Sequence, residues 1–232
     1  WRRHASRALT SRPGMRRWRG YRAGASIPLP LLAPLAGEAA NAPRGAEGVR
    51  LQCLCGREVV AEGGNLTCTC GRRLGSHEGG VLCLGEPAPY WGEIPQLEMR
   101  ALLLEAERHG WQTAARSHLS GGLREYVCAE QRAAFEDLLP LPPGARVLDI
   151  GAGWGSIAAP LARRYQVVVV EGVAERARFL ELRRRQEGLE RLCVIRGELQ
   201  RTPLALGQFD AVIANGVLEW AALLDFSASP EQ

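Results

Sequence analysis

The stretch that most constrains the fold is a short apolar run followed by glycines, RVLDIGAGWG at residues 146–155. Val147, Leu148 and Ile150 make a run with the length of a buried parallel strand. The glycines then alternate with other residues at Gly151, Gly153 and Gly155. Glycine tolerates positive φ and lets a ligand approach the main chain, so a strand that enters such a turn before a helix predicts a nucleotide-binding βα unit.

Downstream of this turn, apolar runs alternate with helical segments. The predicted strands are 146–150, 166–170, 192–196 and 209–214. The predicted helices are 156–164 and 174–187, with Gly188 as the stop of the second. Pro160 should cost the first helix a hydrogen bond or bend its axis. This alternation indicates an α/β fold with a doubly wound parallel sheet, whose first four strands should lie in the order 3-2-1-4.

Polar residues follow the predicted strands at their carboxyl ends, where open α/β sheets bind ligands. Glu171 closes the second strand, Glu198 follows the third, and Asn215 follows the fourth. A carboxylate at the position of Glu171 can accept hydrogen bonds from both hydroxyls of an unphosphorylated ribose. Ser156 stands where a dinucleotide fingerprint has glycine or alanine, which disfavours an NAD-dependent oxidoreductase.

Four segments in order, VLDIGAGWG, VVVVEG, RGELQRTPL and FDAVIANGVLEW, resemble the successive motifs of class I S-adenosylmethionine-dependent methyltransferases between about residues 146 and 220. The resemblance implies a Rossmann-like fold and methyl transfer from S-adenosyl-L-methionine. It assigns the amino-acid end of the cofactor to the glycine turn, the ribose to the second strand end, the adenine to the third and the methyl group to the fourth. The implied cofactor-binding residues are Asp149, Gly151, Ala152, Gly153, Gly155, Glu171, Gly172, Glu198, Leu199, Asn215 and Gly216.

The catalytic group and the methyl acceptor are less constrained. Glu219 is a candidate base because it follows the fourth strand, and the alternative is a solvated surface carboxylate. Tyr90 and Trp91 either cover the cofactor or anchor the helix after them. The segment NGVLEW, with PYWGEIP upstream, resembles the sequences of a bacterial subgroup that is associated with sugar or cell-surface biosynthesis. This resemblance favours a small-molecule or glycan-linked acceptor.

A cysteine-rich segment precedes this half of the chain. Cys53-x-Cys55-Gly and Cys68-x-Cys70-Gly repeat one turn on either side of a hairpin predicted around Gly63. Four thiolates brought together in this way predict a tetrahedral Zn²⁺ site. The segment resembles the zinc-ribbon module that precedes some bacterial methyltransferases, although the knuckle there is normally Cys-x-x-Cys-Gly. The alternatives are a β module without metal and substitute ligands, for which the candidates are His77 and Cys83.

The sequence divides into four predicted regions. Residues 1–48 form a disordered basic leader, for which a transit peptide or a signal peptide starting at Met15 are alternatives. Residues 49–88 form the zinc-ribbon-like module. A helical lid or linker occupies 89–143, with helices at 95–108 and 123–139. The methyltransferase core occupies 144–232.

Composition excludes several partners. Residues 1–52 carry ten arginines and two acids, whereas the remainder carries nineteen arginines and 23 acids, so the folded part is mildly acidic and indicates no nucleic acid. No apolar run has the length of a membrane span. Seven cysteines suit a reducing compartment and one metal site, which predicts a cytoplasmic protein.

Only four strands precede the last residue, whereas the full methyltransferase core has seven. We therefore expect a truncated copy of an enzyme, in which the fourth strand forms a bare apolar edge. A non-catalytic scaffold that keeps the fold or the cofactor affinity is the alternative from another functional class.

Overall fold

In the part of the chain that the structure describes, the strand that precedes the glycine turn is second from one edge of an eight-stranded sheet. The computed structural model describes residues 44–45, 49–57, 59–198, 202–205 and 207–217. Its strands are β1 (Arg44–Gly45), β2 (Val49–Arg50), β3 (Val59–Glu62), β4 (Asn65–Cys68), β5 (Arg73–Glu78), β6 (Val81–Leu84), β7 (Arg146–Ile150), β8 (Gln166–Glu171), β9 (Leu192–Arg196) and β10 (Ala211–Ala214). Its α-helices are α1 (Gln96–His109), α2 (Trp111–His118), α3 (Gly121–Cys128), α4 (Ala158–Leu161) and α5 (Ala174–Glu187), and Glu130–Leu138 is a 3₁₀ helix.

The parallel half of the sheet confirms the predicted fold. Strands β9, β8, β7 and β10 are neighbours in that order and pair in parallel, which is the predicted order 3-2-1-4. The valine run 167–170 of β8 is buried on both faces, as expected of a central parallel strand. Strand β10 begins at Ala211 rather than at 209. Among the residues that the structure describes, β10 is the last strand on this side of the sheet, and its Val212 is exposed.

Each face of the parallel strands packs against a different part of the chain. One face contacts α4 and α5 through a cluster that includes Val147, Val169 and Leu180. The other face packs Leu148 and Val170 against apolar residues of the cysteine-rich segment. The fold is therefore a Rossmann-like α/β sheet whose second face is covered by the N-terminal module.

The cysteine-rich segment forms antiparallel strands that extend the same sheet. Strands β3 and β4 make the predicted hairpin around Gly63 and Gly64, and β5 and β6 continue it. Strand β6 then pairs in parallel with β9, with Val81 opposite Val194. No sequence pattern predicted this pairing of β6 with β9. The run VLCL of β6 is buried along its whole length, which suits a strand that has neighbours on both sides.

The helical region differs from its prediction in two places. Helix α1 matches within a residue and ends at Gly110, but a separate helix α2 follows. The continuous helix predicted for 123–139 is wrong, because α3 stops at residue 128 and the next segment is 3₁₀. A 3₁₀ helix has three residues per turn, so the apolar face changes. Tyr126 and Leu138 were expected on the apolar side of the single helix, but both are exposed, whereas Val127 and Ala133 are buried.

Helix α4 is a single turn, shorter than the predicted 156–164. Residues between Ala152 and Ile157 form turns. Pro160 has no backbone N–H to donate to the carbonyl one turn earlier, which disfavours a longer helix. None of the helices in the described part of the chain has the length and apolar character that crossing a bilayer requires.

Candidate cofactor site and cysteine cluster

The three glycines of the turn serve different purposes. All three have φ between +56° and +76°. A Cβ at Gly151 would overlap the side chain of Val217, and one at Gly155 would lie 2.6 Å from Cδ2 of Leu180. A Cβ at Gly153 would meet no atom within 3.9 Å outside the adjoining residues. Gly151 and Gly155 therefore permit close packing, whereas Gly153 leaves open space beside the main chain.

Glu171 holds the turn in place. Its side chain is 4% exposed, and Oε2 accepts a hydrogen bond from the Gly153 N–H at 2.9 Å. Oε1 accepts one from the Val173 N–H, also at 2.9 Å. Each carboxylate oxygen has a further lone pair, so the group can still accept hydrogen bonds from ribose hydroxyls. Gly172 follows it, and its carbonyl accepts the N–H of Ala88 at 3.0 Å.

Asp149 is a buried acid without a complete set of partners. Its side chain is 2% exposed, and Oδ2 has no hydrogen-bond partner among the described residues. Burial, and then the negative charge of Glu171, raise the pKa of this carboxyl to about 7. A cationic amine would satisfy the orphaned oxygen and favour the ionised form. The amino group of an amino-acid moiety fits this requirement.

The other predicted contacts lie at the carboxyl ends of neighbouring strands. The Gly197 N–H donates to the Glu171 carbonyl at 3.0 Å, which places half-buried Glu198 beside the second strand end. Asn215 and Gly216 are exposed after β10. Ala152 is half-buried within the turn and accepts a hydrogen bond from the Gly155 N–H. The predicted positions Leu199 and Glu219 lie outside the described residues.

Ser156 has a structural reason to replace the glycine of a dinucleotide fingerprint. Its hydroxyl is buried and lies 3.0 Å from the carbonyl of Tyr126 and 3.3 Å from that of Val127. It therefore ties the turn to the end of α3. Tyr90 donates to the Ile94 carbonyl and packs against the helical cluster, which supports its role as an anchor. Trp91 is half exposed beneath the guanidinium of Arg176.

Two further groups near the site were not predicted. Glu93 accepts hydrogen bonds from Nε1 of Trp154 and from Arg176, so it joins the glycine turn to α5. Arg132 lies over the ring of Tyr126 and donates to Oδ1 of Asn215 at 3.3 Å. A tryptophan between two glycines was the available signal for the first group. No sequence pattern indicated the second.

The four predicted metal ligands converge. The sulfur atoms of Cys53, Cys55, Cys68 and Cys70 all lie within 4.8 Å of one another. Three S–S separations are 3.3, 3.5 and 3.8 Å. Zinc bound tetrahedrally at about 2.3 Å requires about 3.8 Å between sulfurs, so this donor set fits the ion despite its short spacing. His77 and Cys83 lie outside this group.

The two knuckles have the same geometry. In each, the glycine N–H donates to the carbonyl of the first cysteine at 2.8 Å, from Gly56 to Cys53 and from Gly71 to Cys68. Both glycines have positive φ. The first cysteine of each knuckle is buried and the second is exposed. The one-residue spacer therefore still brings all four thiols to one point.

Comparison with known proteins finds one family that is similar to the second half of the chain. Residues 147–228 match the family model described as "Methyltransferase domain". This match covers less than half of the chain, so residues 147–228 are similar to a methyltransferase domain. The match begins in β7 and includes every predicted cofactor contact downstream of that strand.

The same part of the chain is similar to methyltransferases whose names give different acceptors. It is 35% identical over 97 residues to a ribosomal RNA small subunit methyltransferase G from Nitratidesulfovibrio vulgaris, covering 40% of this chain and 44% of that one. It is 34% identical over 80 residues to a malonyl-[acyl-carrier protein] O-methyltransferase from Legionella pneumophila, covering 34% and 28%. The chain thus spans less than half the length of these relatives. A crystal structure of a SAM-dependent methyltransferase from Aquifex aeolicus is similar with a TM-score of 0.35 and 18% identity, covering 44% of this chain and 55% of that one.

Proposed function

We propose that the chain binds S-adenosyl-L-methionine at the glycine turn and transfers its methyl group to an acceptor at the carboxyl edge of the sheet. The observation that carries the proposal is the juxtaposition of an open glycine, Gly153, with two buried carboxylates, Asp149 and Glu171. Asp149 would pair with the amino group of the cofactor. Glu171 would accept the ribose hydroxyls, and Glu198 with Leu199 would face the adenine.

The bound cofactor supplies an activated electrophile, the methyl group on a positively charged sulfur. The protein then has to align an acceptor nucleophile behind that methyl group and exclude water. Asn215 and Gly216 would border the methyl group, and Arg132 holds the Asn215 amide in place. Glu219 remains our candidate base for an acceptor that must lose a proton.

Two titrations test cofactor binding. Isothermal titration calorimetry with S-adenosylhomocysteine, the demethylated product, should give saturable heat. NAD should give none, because Ser156 stands where a dinucleotide fingerprint has glycine or alanine and its hydroxyl is bonded to the end of α3. No heat from the first ligand, or saturable heat from NAD, would reject the cofactor assignment. Binding without turnover on any acceptor would favour the scaffold alternative.

The acceptor requires a direct assay. We propose a small-molecule or glycan-linked acceptor, and transfer of a radiolabelled methyl group to sugar-containing cell extracts is the corresponding test. The names of the relatives define the comparison arms, which are small-subunit ribosomal RNA and malonyl-acyl carrier protein. Label in either arm, without label in the sugar fraction, would overturn our assignment of the acceptor.

We also propose that Cys53, Cys55, Cys68 and Cys70 bind one Zn²⁺ as a structural cross-link. Metal analysis of the purified protein should give one zinc per chain, and Cys68→Ser should lose it. Cys128→Ser is the matched control because Cys128 is an exposed thiol outside the cluster. Equal zinc content in the two variants would reject the site. Thiols bind zinc only while reduced, which favours a cytoplasmic location.

A further inference from the structure

The cysteine cluster is joined to the loop between β9 and β10 by a short ladder of backbone hydrogen bonds. The Gln52 N–H donates to the Pro203 carbonyl at 2.9 Å, and the Ala205 N–H donates to the Arg50 carbonyl at 3.0 Å. Between them, Leu51 forms an antiparallel bridge with Leu204. The ladder ends one residue before Cys53. The segment that enters the first knuckle therefore also binds this loop.

A buried glutamine closes the ladder. Gln208 is 5% exposed, and its amide makes two hydrogen bonds with the backbone of Arg50. The Arg50 N–H donates to Oε1, and Nε2 donates to the Arg50 carbonyl, both at 2.9 Å. Nε2 also donates to the Ala205 carbonyl. The Gln208 side chain therefore makes hydrogen bonds to both segments of the ladder, at Arg50 and at Ala205.

The same loop carries the predicted adenine contact. Thr202, the described residue next to Pro203, donates through its hydroxyl to the Glu198 carbonyl at 2.6 Å. Glu198 itself follows Gly197, whose N–H is bonded to Glu171. A continuous series of contacts therefore runs from Cys53, through the ladder, to the strand ends that would hold the adenine and the ribose.

Packing reinforces this connection. Cys53 and Cys68 are buried in one apolar cluster with Leu51, and Leu204 of the loop packs against it. The same cluster contains Ile150 of β7, the residue directly before the glycine turn. A metal that fixes the two knuckles would restrict this cluster, whereas free thiols would leave the ladder held by its own few hydrogen bonds.

From this arrangement we infer that the cysteine cluster positions the adenine side of the cofactor site. Zinc in the cluster orders residues 202–205 and Gln208 through residues 50–53, and Gln208 is the positioning residue of the link. The inference rests on the proposed binding of zinc and of S-adenosylmethionine. Loss of the metal should therefore weaken cofactor binding, although none of the four cysteines that would bind the metal lies in the proposed cofactor site.

Hydrogen–deuterium exchange of the full chain tests the link independently of activity. Removal of zinc with a chelator should speed exchange in the peptide that spans 202–208, where the Ala205 N–H loses its partner. Helix α5, on the opposite face of the sheet, should keep its protection. Unchanged exchange at 202–208, or equal loss of protection in α5, would overturn the inference.

A variant tests the same link without touching the metal. Gln208→Ala should keep its zinc but raise the dissociation constant for S-adenosylhomocysteine by at least about tenfold, or about 1.4 kcal/mol. Full affinity in this variant would overturn the inference. If the zinc-loaded wild-type protein binds no S-adenosylhomocysteine, the proposed function fails, and the exchange experiment still decides whether the cluster orders the loop.

Discussion

Replacing Asp149 by asparagine should remove a loss of stability that the cofactor-free protein suffers as the pH rises. The carboxyl is buried, one of its oxygens lacks a partner among the described residues, and its pKa is raised to about 7 from an ordinary value of 3.8. Below pH 3.8 the group is protonated in both folded and unfolded states, so it costs nothing. As the pH rises to about 7, the unfolded state releases its proton first, and folding becomes progressively less favourable.

The size of the effect follows from the shift. A difference between 3.8 and about 7 corresponds to about 4 kcal/mol lost at high pH, of which about 2.5 kcal/mol falls between pH 5 and pH 8.5. Asparagine has nearly the same shape and does not ionise, so the variant avoids this loss. The constant cost of burying its amide group is the same at both pH values and cancels in the comparison.

Urea denaturation of both proteins at pH 5 and pH 8.5, without cofactor, measures the effect. The free energy of unfolding should fall by about 2.5 kcal/mol more in the wild-type protein than in Asp149→Asn. Asp137→Asn is the control, because it removes the same charge from a side chain that is 78% exposed. An equal pH dependence in wild type and Asp149→Asn would refute the reasoning. The variant should also bind S-adenosylhomocysteine more weakly, because it lacks the partner that we propose for the ligand's amino group.

Two further substitutions test how the turn is built. Gly155→Ala should destabilise the protein more than Gly188→Ala. Both positions have positive φ, but only a Cβ at position 155 would lie against Leu180. A difference in the free energy of unfolding below about 1 kcal/mol, measured by denaturant titration, would contradict this prediction. Ser156→Ala should cost about 1–2 kcal/mol because it removes the buried hydroxyl that bonds the carbonyl oxygens of Tyr126 and Val127 at the end of α3. Proteolysis should then cut α3 faster. Unchanged stability and cleavage would show that the hydroxyl does not hold the helix.

Local sequence patterns predicted the parallel half of the sheet. The valine run of β8 is apolar throughout, and the run before Gly151 is apolar apart from Asp149. Short apolar runs of this kind are typical of strands buried inside a parallel sheet. Gly188 ended α5 as predicted, because its φ of +64° suits a residue without a side chain. Each of these features is determined by residues close together in the chain.

Features that depend on distant partners could not be predicted. The run of β6 gave no sign that it would pair with β9, more than a hundred residues later. The face of α1 that is buried is another case, because Leu97 and Leu104 look as apolar as Leu102 and Leu103. Tertiary packing alone decides which of these leucines meets the rest of the protein.

The candidate site shows the same division. The predicted strand-end residues that the structure describes lie at one edge of the sheet, because carboxyl ends of parallel strands meet there. The contact of Arg132 with Asn215 and the ladder at Gln208 join segments far apart in sequence. Neither residue belongs to a motif, so only the folded structure reveals their positions.

The most direct test of the central claim fills the open glycine of the turn. Gly153→Arg directs a long side chain into the space beside Glu171 that we assign to the cofactor, and no atom obstructs its Cβ. Gly188→Arg is the matched control, with the same charge, a similar φ and open space after α5. Calorimetry with S-adenosylhomocysteine should show binding to the wild type and to Gly188→Arg but none to Gly153→Arg. Undiminished binding by Gly153→Arg would contradict the assignment of this turn as the cofactor site.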